Sequence, residues 1–337
     1  MLEADMEARE LEECISLFFD ERTVIWETKE TSHGEKDFRE AIFIVTESGN
    51  KFVIKLADND FTFAEKIKMW QRCAEEYRSL GYYTPAILKS KSGDFPIVQY
   101  KGHKCIAYAE EFSKYSCADD AGNGIASSKF KNEILTMTAK IANLYSDYTD
   151  YPSGYCMFEL FAPSDQNDEV MDNALEWKRY AETLPPEFQP QIQRIWNLWC
   201  KNRNALQDIY HQLPTSVFQA DLNSSNILID ESGNFVGVYD FNLSGKDVFL
   251  NYLIREINWP DDEEELNLVK SAIKTAESVY TFSAIEKYAA PMLYRCIKPL
   301  WWTRVQRLKT AKNDSVAIQH CLDKAESMLT RSVSFFF

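Results

Sequence analysis

The sequence predicts an α+β fold of two lobes, a small antiparallel sheet with one inserted helix followed by a larger, mainly helical part. Three observations predict it. Residues 22–57 alternate apolar and polar side chains in β-branched runs, as half-buried strands do. From about residue 128 the apolar residues recur at helical spacing almost to the end. One short β-rich stretch, 217–241, interrupts that helical part, and is itself interrupted by Asp221, Asn223 and Asn226.

Taken in order, RTVIWETKE (22–30) reads as a first strand, and REAIFIVTESGNKFVIKLA (39–57) as a hairpin turning at Ser48-Gly49-Asn50. FTFAEKIKMWQRCAEEYRSLG (61–81) has apolar residues at 63, 67, 70, 73, 74, 77 and 80, a helical face that Gly81 is placed to end. FPIVQYKGHKCIAYAEEF (95–112) supplies two more strands. The helical part includes EILTMTAKIANLY, DNALEWKRYAETL, PQIQRIWNLWCKNRNALQDIYHQL and nearly everything from 263 to 331, with Trp196 and Trp199 expected in its core. The predicted boundary lies at 110/111, with an N-terminal lobe 1–110 and a C-terminal lobe 111–337.

Composition bounds the function. A chain of 337 residues, 45% hydrophobic and 14% aromatic, with 11 Gly and 11 Pro, is long and apolar enough to bury a large core. Eight cysteines at 14, 73, 105, 117, 156, 200, 296 and 321 form no C-x-x-C pair, and the four histidines do not cluster with them; reduced thiols and no zinc site are expected. The N-terminal MLEADMEARELEEC is too acidic to open a signal peptide, and no run of about 18 apolar residues occurs, so the expectation is a soluble cytoplasmic protein without a membrane partner. A net charge of −15 argues against nucleic acid and leaves a cationic substrate open.

The 217–241 stretch, VFQADLNSSNILIDESGNFVGVYDF, carries the chemistry. Val217–Phe218, Ile227–Ile229 and Phe235–Tyr239 read as strands, with a turn at Glu231–Asn234. The hairpin 227–239 would set Asp221 and Asn226 in the loop before it and Asp240 just after. A hard cation such as Mg2+ takes carboxylate and amide oxygens together with phosphates, so Asn226 and Asp240 make a metal pair, and Asp221 remains to orient or deprotonate a hydroxyl.

The spacing D-L-N-S-S-N-I-L-I-D…V-Y-D-F resembles the catalytic segment of the aminoglycoside phosphotransferase and choline kinase group, relatives of the protein kinases. The resemblance spans roughly residues 20–260. It implies a protein-kinase-like fold and transfer of the γ-phosphoryl group of ATP or GTP to a small molecule's hydroxyl, with Mg2+ as cofactor and a nucleoside triphosphate as partner. It gives Asp221 the hydroxyl, Asn226 and Asp240 the metal, and Lys55 in FVIKLA the α- and β-phosphates. A helical glutamate should hold Lys55; Glu75 is preferred, with Glu65 and Glu76 as alternatives. Ala109, Glu110, Glu111 and Phe112 would form the connector that meets the nucleobase, and ETKETSHGEKDF (27–38), with Gly34 its single glycine, the turn over the phosphates. Gln219 stands where the family usually has His, and FNLSGKDVFLNYLIRE lacks its Asp-Pro pattern. The alternative is a catalytically weak or inactive nucleotide-binding pseudokinase acting as a scaffold or sensor.

For the acceptor the sequence offers Tyr252, Trp259, Trp301 and Trp302 near the acids Asp261, Asp262, Glu263, Glu264 and Glu265, a set able to hold a cation. Helix packing for Trp301 and Trp302, and a solvated first turn for the acids, account for these residues more simply. The terminal SVSFFF is apolar enough to pack on something.

Overall fold

A computed structural model describes the chain except residues 1, 35, 120–126, 145–150, 152–158, 163–166, 258–259, 261–262, 334–335 and 337. Trp259, Asp261 and Asp262, named above for the acceptor, lie outside the described residues. The elements run α1 (Leu2–Ser16), β1 (Thr23–Glu30), β2 (Phe38–Thr46), β3 (Lys51–Asp58), α2 (Ala64–Ser79), β4 (Ile87–Leu88), β5 (Ile97–Tyr100), β6 (His103–Glu111) and β7 (Ser116–Cys117). Then come α3 (Lys131–Leu144), α4 (Glu169–Ala181), α5 (Gln189–Tyr210), β8 (Thr215–Gln219), β9 (Ile227–Ile229), β10 (Phe235–Val238) and β11 (Ser244–Val248). The last five helices are α6 (Phe249–Glu256), α7 (Glu263–Glu277), α8 (Ala284–Ile297), α9 (Trp302–Ala311) and α10 (Ser315–Thr330). The expected α+β fold is what the chain adopts.

Two compact units result. The first comprises Met1–Lys129, Asp150–Tyr155 and Asp221–Ser244, so the segment with Asp221, Asn226 and Asp240 belongs to the same unit as the N-terminal sheet. That sheet is antiparallel, in the order β1-β2-β3-β6-β4, with β5 also on β6. Because side chains alternate across a strand, Ile42, Ile44, Ile54, Leu56, Ala107 and Ala109 share one face, where they pack with Leu11, Cys14 and Ile15 of α1. Alternation on β2, β3 and β6 then commits Arg39, Ala41, Phe43, Val53, Lys55, Tyr108 and Glu110 to the opposite face. The sequence reading gave this lobe one helix; α1 is a second, and its spacing of 11, 14 and 15 is the signal that was there to read.

The second unit comprises Phe130–Thr149, Cys156–Ala220 and Gly245–Phe337. Its core is aromatic, with Trp177, Trp199, Tyr210, Tyr252 and Tyr294 fully buried. Trp196 is half-buried, stacked on Trp199 at 5.3 Å with the Lys178 ammonium 4.7 Å from its ring, rather than in the core as expected. Phe336 of the terminal apolar run is buried and packs 5.9 Å from Tyr294 of its own chain. Among the described residues no helix is long and apolar enough to cross a membrane, and cysteines 14, 73, 105, 117, 200, 296 and 321 are free thiols.

Candidate functional site

The 217–241 stretch folds as its pattern predicts. β9 and β10 pair antiparallel, and their turn is closed by Asp230, whose carboxylate accepts the Ser232 and Asn234 N–H groups while Gly233 adopts φ +76°. β7 pairs with β9 on its other edge. Gly237 lets the chain after α2 lie against β10: Tyr83 N–H donates to Val236 O at 2.9 Å and Val238 N–H to Tyr83 O at 3.1 Å. A Cβ at residue 237 would stand 1.9 Å from the Tyr83 carbonyl oxygen, so only glycine fits.

This frame fixes the candidate side chains. Asn223 donates to Asp221 Oδ1 at 2.7 Å, and Asn226 donates to Asp221 Oδ2 and to its carbonyl, each at 2.9 Å. Two amides therefore hold both carboxylate oxygens of Asp221. Tyr239 N–H donates to Asn226 O at 3.2 Å, tying the loop to the residue before Asp240. Asp240 itself has φ +59° and ψ +68°, a left-handed conformation that carries strain in a residue other than glycine. In the helical unit, Arg255 Nη1 donates to Ala220 O at 2.8 Å and Lys298 Nζ donates to Arg255 O at 2.9 Å. Arg255 thus anchors the residue just ahead of Asp221, which gives the divergent 241–256 segment a structural task.

Lys55 sits opposite Tyr108 in the ladder, its Nζ 2.9 Å from Glu110 Oε2 and 3.2 Å from Asp240 Oδ1. Burial works against its charge, but Asp240, Glu110 and Tyr108 together outweigh burial and hold the ammonium well above its usual value. At Glu110 the balance goes the other way: burial raises the carboxyl although Lys55 pulls it down, and the neighbouring Asp240 adds to the rise. Lys55 is therefore firmly charged, and Glu110 shares its cation with a second acid.

The glutamates of α2 stand elsewhere. Glu75 is 58% exposed and lies 3.9 Å from Arg78; Glu65 is exposed in the first turn; Glu76 pairs with Arg72 at 3.2 Å. Among the described residues, the acid added to Asp240 at Lys55 comes from β6. The connector also shifts. Ala109, Glu110 and Glu111 are inside β6, paired with β3 on one side and, at Ala109 and Glu110, with β4 on the other, so only Phe112 of the four lies beyond the strand.

Two features escaped the sequence reading. Trp26, at a bulge in β1 and 46% exposed, has its ring 5.5 Å from Phe43 and 5.7 Å from Phe112, forming an aromatic patch on the Lys55 face at the connector end. Lys55, Asp221, Asp240 and Asn242 line a cavity of about 670 Å3 in the same unit, and Arg39 lines it too.

The donor set fits a hard divalent cation. Asn226 commits its Nδ2 to Asp221, which leaves the amide oxygen as its acceptor end, and Asp240 is a carboxylate with one oxygen on Lys55. Two oxygen ligands suit Mg2+ when phosphates and water complete the shell. Among the described residues no group of three or more His, Cys, Asp or Glu could hold a metal ion.

No protein-family model matches the sequence, and no curated protein matches it. Solved structures do. A microcompartment-associated aminopropanol kinase superposes with TM-score 0.56 over 96% of this chain and 95% of its own, at 10% identity. The amicoumacin kinase hAmiN, in complex with AMP-PNP, Ca2+ and Ami, superposes with TM-score 0.51 over 97% and 95%, at 12% identity. The chain has the fold of these kinases. At such identity a shared fold places strands and helices; the chemistry must be argued from the side chains of this kinase-like fold.

Proposed function

We propose that the chain is a Mg2+-dependent phosphotransferase that moves the γ-phosphoryl group of ATP or GTP to a hydroxyl of a small molecule. The observation that carries this reading is the convergence, on one cavity, of a firmly charged lysine, an acid in a left-handed conformation and a carboxylate held by two amides. Phosphoryl transfer asks for little more than positioning and charge neutralisation, which such a set supplies.

In the proposed reaction Lys55 holds the α- and β-phosphates. Asn226 Oδ1 and Asp240 would hold Mg2+, which when bound neutralises charge on the phosphates. The acceptor oxygen attacks the γ-phosphorus, the bond to the β-bridging oxygen breaks, and the hydroxyl proton passes to Asp221. Asn223 and Asn226 keep that carboxylate aimed. The nucleobase lies on the Trp26–Phe43–Phe112 patch beside the start of the connector. For the acceptor, an amino alcohol comes first: the net charge of −15 favours a cation, and one of the two kinases above is an aminopropanol kinase. Tyr252, once considered for an aromatic cage, is fully buried and drops out of that role, and Trp302 is exposed.

The test is phosphorus-31 NMR of ATP or GTP with Mg2+ and a pooled library of amino alcohols, aminoglycosides, macrolides, sugars and nucleosides, with Asp240→Ala alongside. A new phosphomonoester signal that vanishes in the variant is expected. Binding of nucleotide without turnover of any acceptor would favour a nucleotide-binding scaffold instead.

A further inference from the structure

The turn over the phosphates is poor in glycine, so it lacks the run of flexible backbone N–H groups that could cradle a triphosphate. The sheet offers a side chain in its place. We propose that Arg39 binds the terminal phosphate of the nucleoside triphosphate, a role that rests on the phosphotransferase reading above.

Strand register places it. From the connector outward, Phe43 pairs with Val53, Ala41 with Lys55 and Arg39 with Ala57. Arg39 therefore points to the Lys55 face one strand repeat beyond the lysine, about 7 Å farther from the aromatic patch. A nucleotide whose base lies on Trp26, Phe43 and Phe112 and whose inner phosphates meet Lys55 must run its outermost phosphate in that direction. Arg39 lines the cavity there.

The side chain is preorganised. Its Nη2 donates to Asp37 Oδ2 at 2.8 Å, and Asp37 is in turn fixed by Asn59 Nδ2 at 2.9 Å. Asn59 accepts the Phe61 and Thr62 N–H groups, and the guanidinium carbon lies 5.7 Å from the Phe61 ring centre. The other acid nearby, Glu40, is taken by Lys101 at 2.7 Å. What remains is the Nε–H of Arg39, buried and without a partner among the described residues. A buried guanidinium donor with nothing to meet is costly, and a phosphate oxygen is the acceptor its fork geometry suits.

Calorimetric titration of AMP-PNP and ADP with Mg2+, and of the guanine pair, into wild type, Arg39→Gln and Arg39→Lys tests this. Arg39→Gln is expected to weaken the triphosphate analogue about 10- to 100-fold while ADP stays within about twofold. Arg39→Lys, which keeps the charge and the Asp37 pair but loses the fork, is expected to fall between, and it decides the matter if the glutamine variant does not fold. Equal losses for tri- and diphosphate would make Arg39 a brace for Asp37 and overturn the proposal, as would no loss at all. Wild-type protein that binds neither nucleotide would sink the phosphotransferase reading itself, a failure distinct from that of Arg39.

Discussion

Glu110→Gln isolates the feature in which this site departs from expectation. The substitution preserves shape and one acceptor oxygen but removes the charge that faces Lys55 at 2.9 Å. At that distance, and at an effective dielectric of about 20, the gross Coulomb attraction is about 6 kcal/mol. Most of it is cancelled by the desolvation of a carboxylate that burial already raises, and Asp240 still faces the lysine in the free protein. On the proposed reading the difference would emerge with nucleotide bound, when Asp240 would serve the metal and Glu110 alone would hold the lysine. We expect a net cost of about 2 kcal/mol there, roughly 30-fold in affinity for a Mg2+–nucleotide complex measured by calorimetry. Glu75→Gln, at an exposed position paired only loosely with Arg78, should change it less than twofold. A larger effect from Glu75→Gln than from Glu110→Gln would refute the reasoning and restore the helical glutamate as the partner of Lys55.

Further outcomes follow from the same geometry. Asp221→Ala should leave nucleotide affinity near normal and lower turnover by about 10²–10⁴, the usual contribution of a general base, in steady-state assays once an acceptor is known; unchanged turnover would remove Asp221 from the chemistry. Gly237→Ala drives a Cβ into the Tyr83 carbonyl and should cost about 1–3 kcal/mol in urea denaturation while displacing the hairpin enough to weaken nucleotide binding. Burial, with Lys131, Arg304 and Arg255 opposing Glu256, lowers the Lys298 ammonium to about 7. Between that value and the usual 10.5 the unfolded chain keeps a proton that the folded chain has lost, so stability rises with pH across this window, and below pH 7 the folded protein bears the full penalty of a buried charge. Lys298→Met should therefore be more stable than wild type at pH 6, with an advantage that shrinks towards pH 10; an advantage independent of pH would refute the shift.

The strands and the 217–241 hairpin were legible because each obeys a local rule. Period-two alternation marks β2 and β3, and Asp-Glu-Ser-Gly-Asn marks the turn. Lys55, Asp221 and Asp240 stand out by their types and spacing, and one cavity gathers all three. Glu110 was read, but as connector, because its meeting with Lys55 depends on the register between strands separated by most of the lobe, and no local pattern encodes that. The alternation Tyr108–Glu110 on one face was the available hint. Arg39 is hidden for the same reason, since only pairing with Ala57 shows it lies one repeat beyond Lys55. Trp26 sits at a bulge in β1, and its meeting with Phe43 and Phe112 depends on strand pairing that no local pattern encodes. Helix α1 is hard to see in the sequence because acidic residues dominate it and its buried face is only the short 11, 14, 15 spacing.

The most direct test is the Mg2+ dependence of AMP-PNP and GMP-PNP binding to the wild-type chain, compared with Lys55→Met and Asp240→Asn in one calorimetric series. A phosphate site built from Lys55 and Asp240 predicts binding that needs Mg2+ in the wild type, is lost in Lys55→Met, and loses its metal dependence in Asp240→Asn. Binding that ignores Mg2+ and both substitutions, or no binding of either nucleotide, would contradict it.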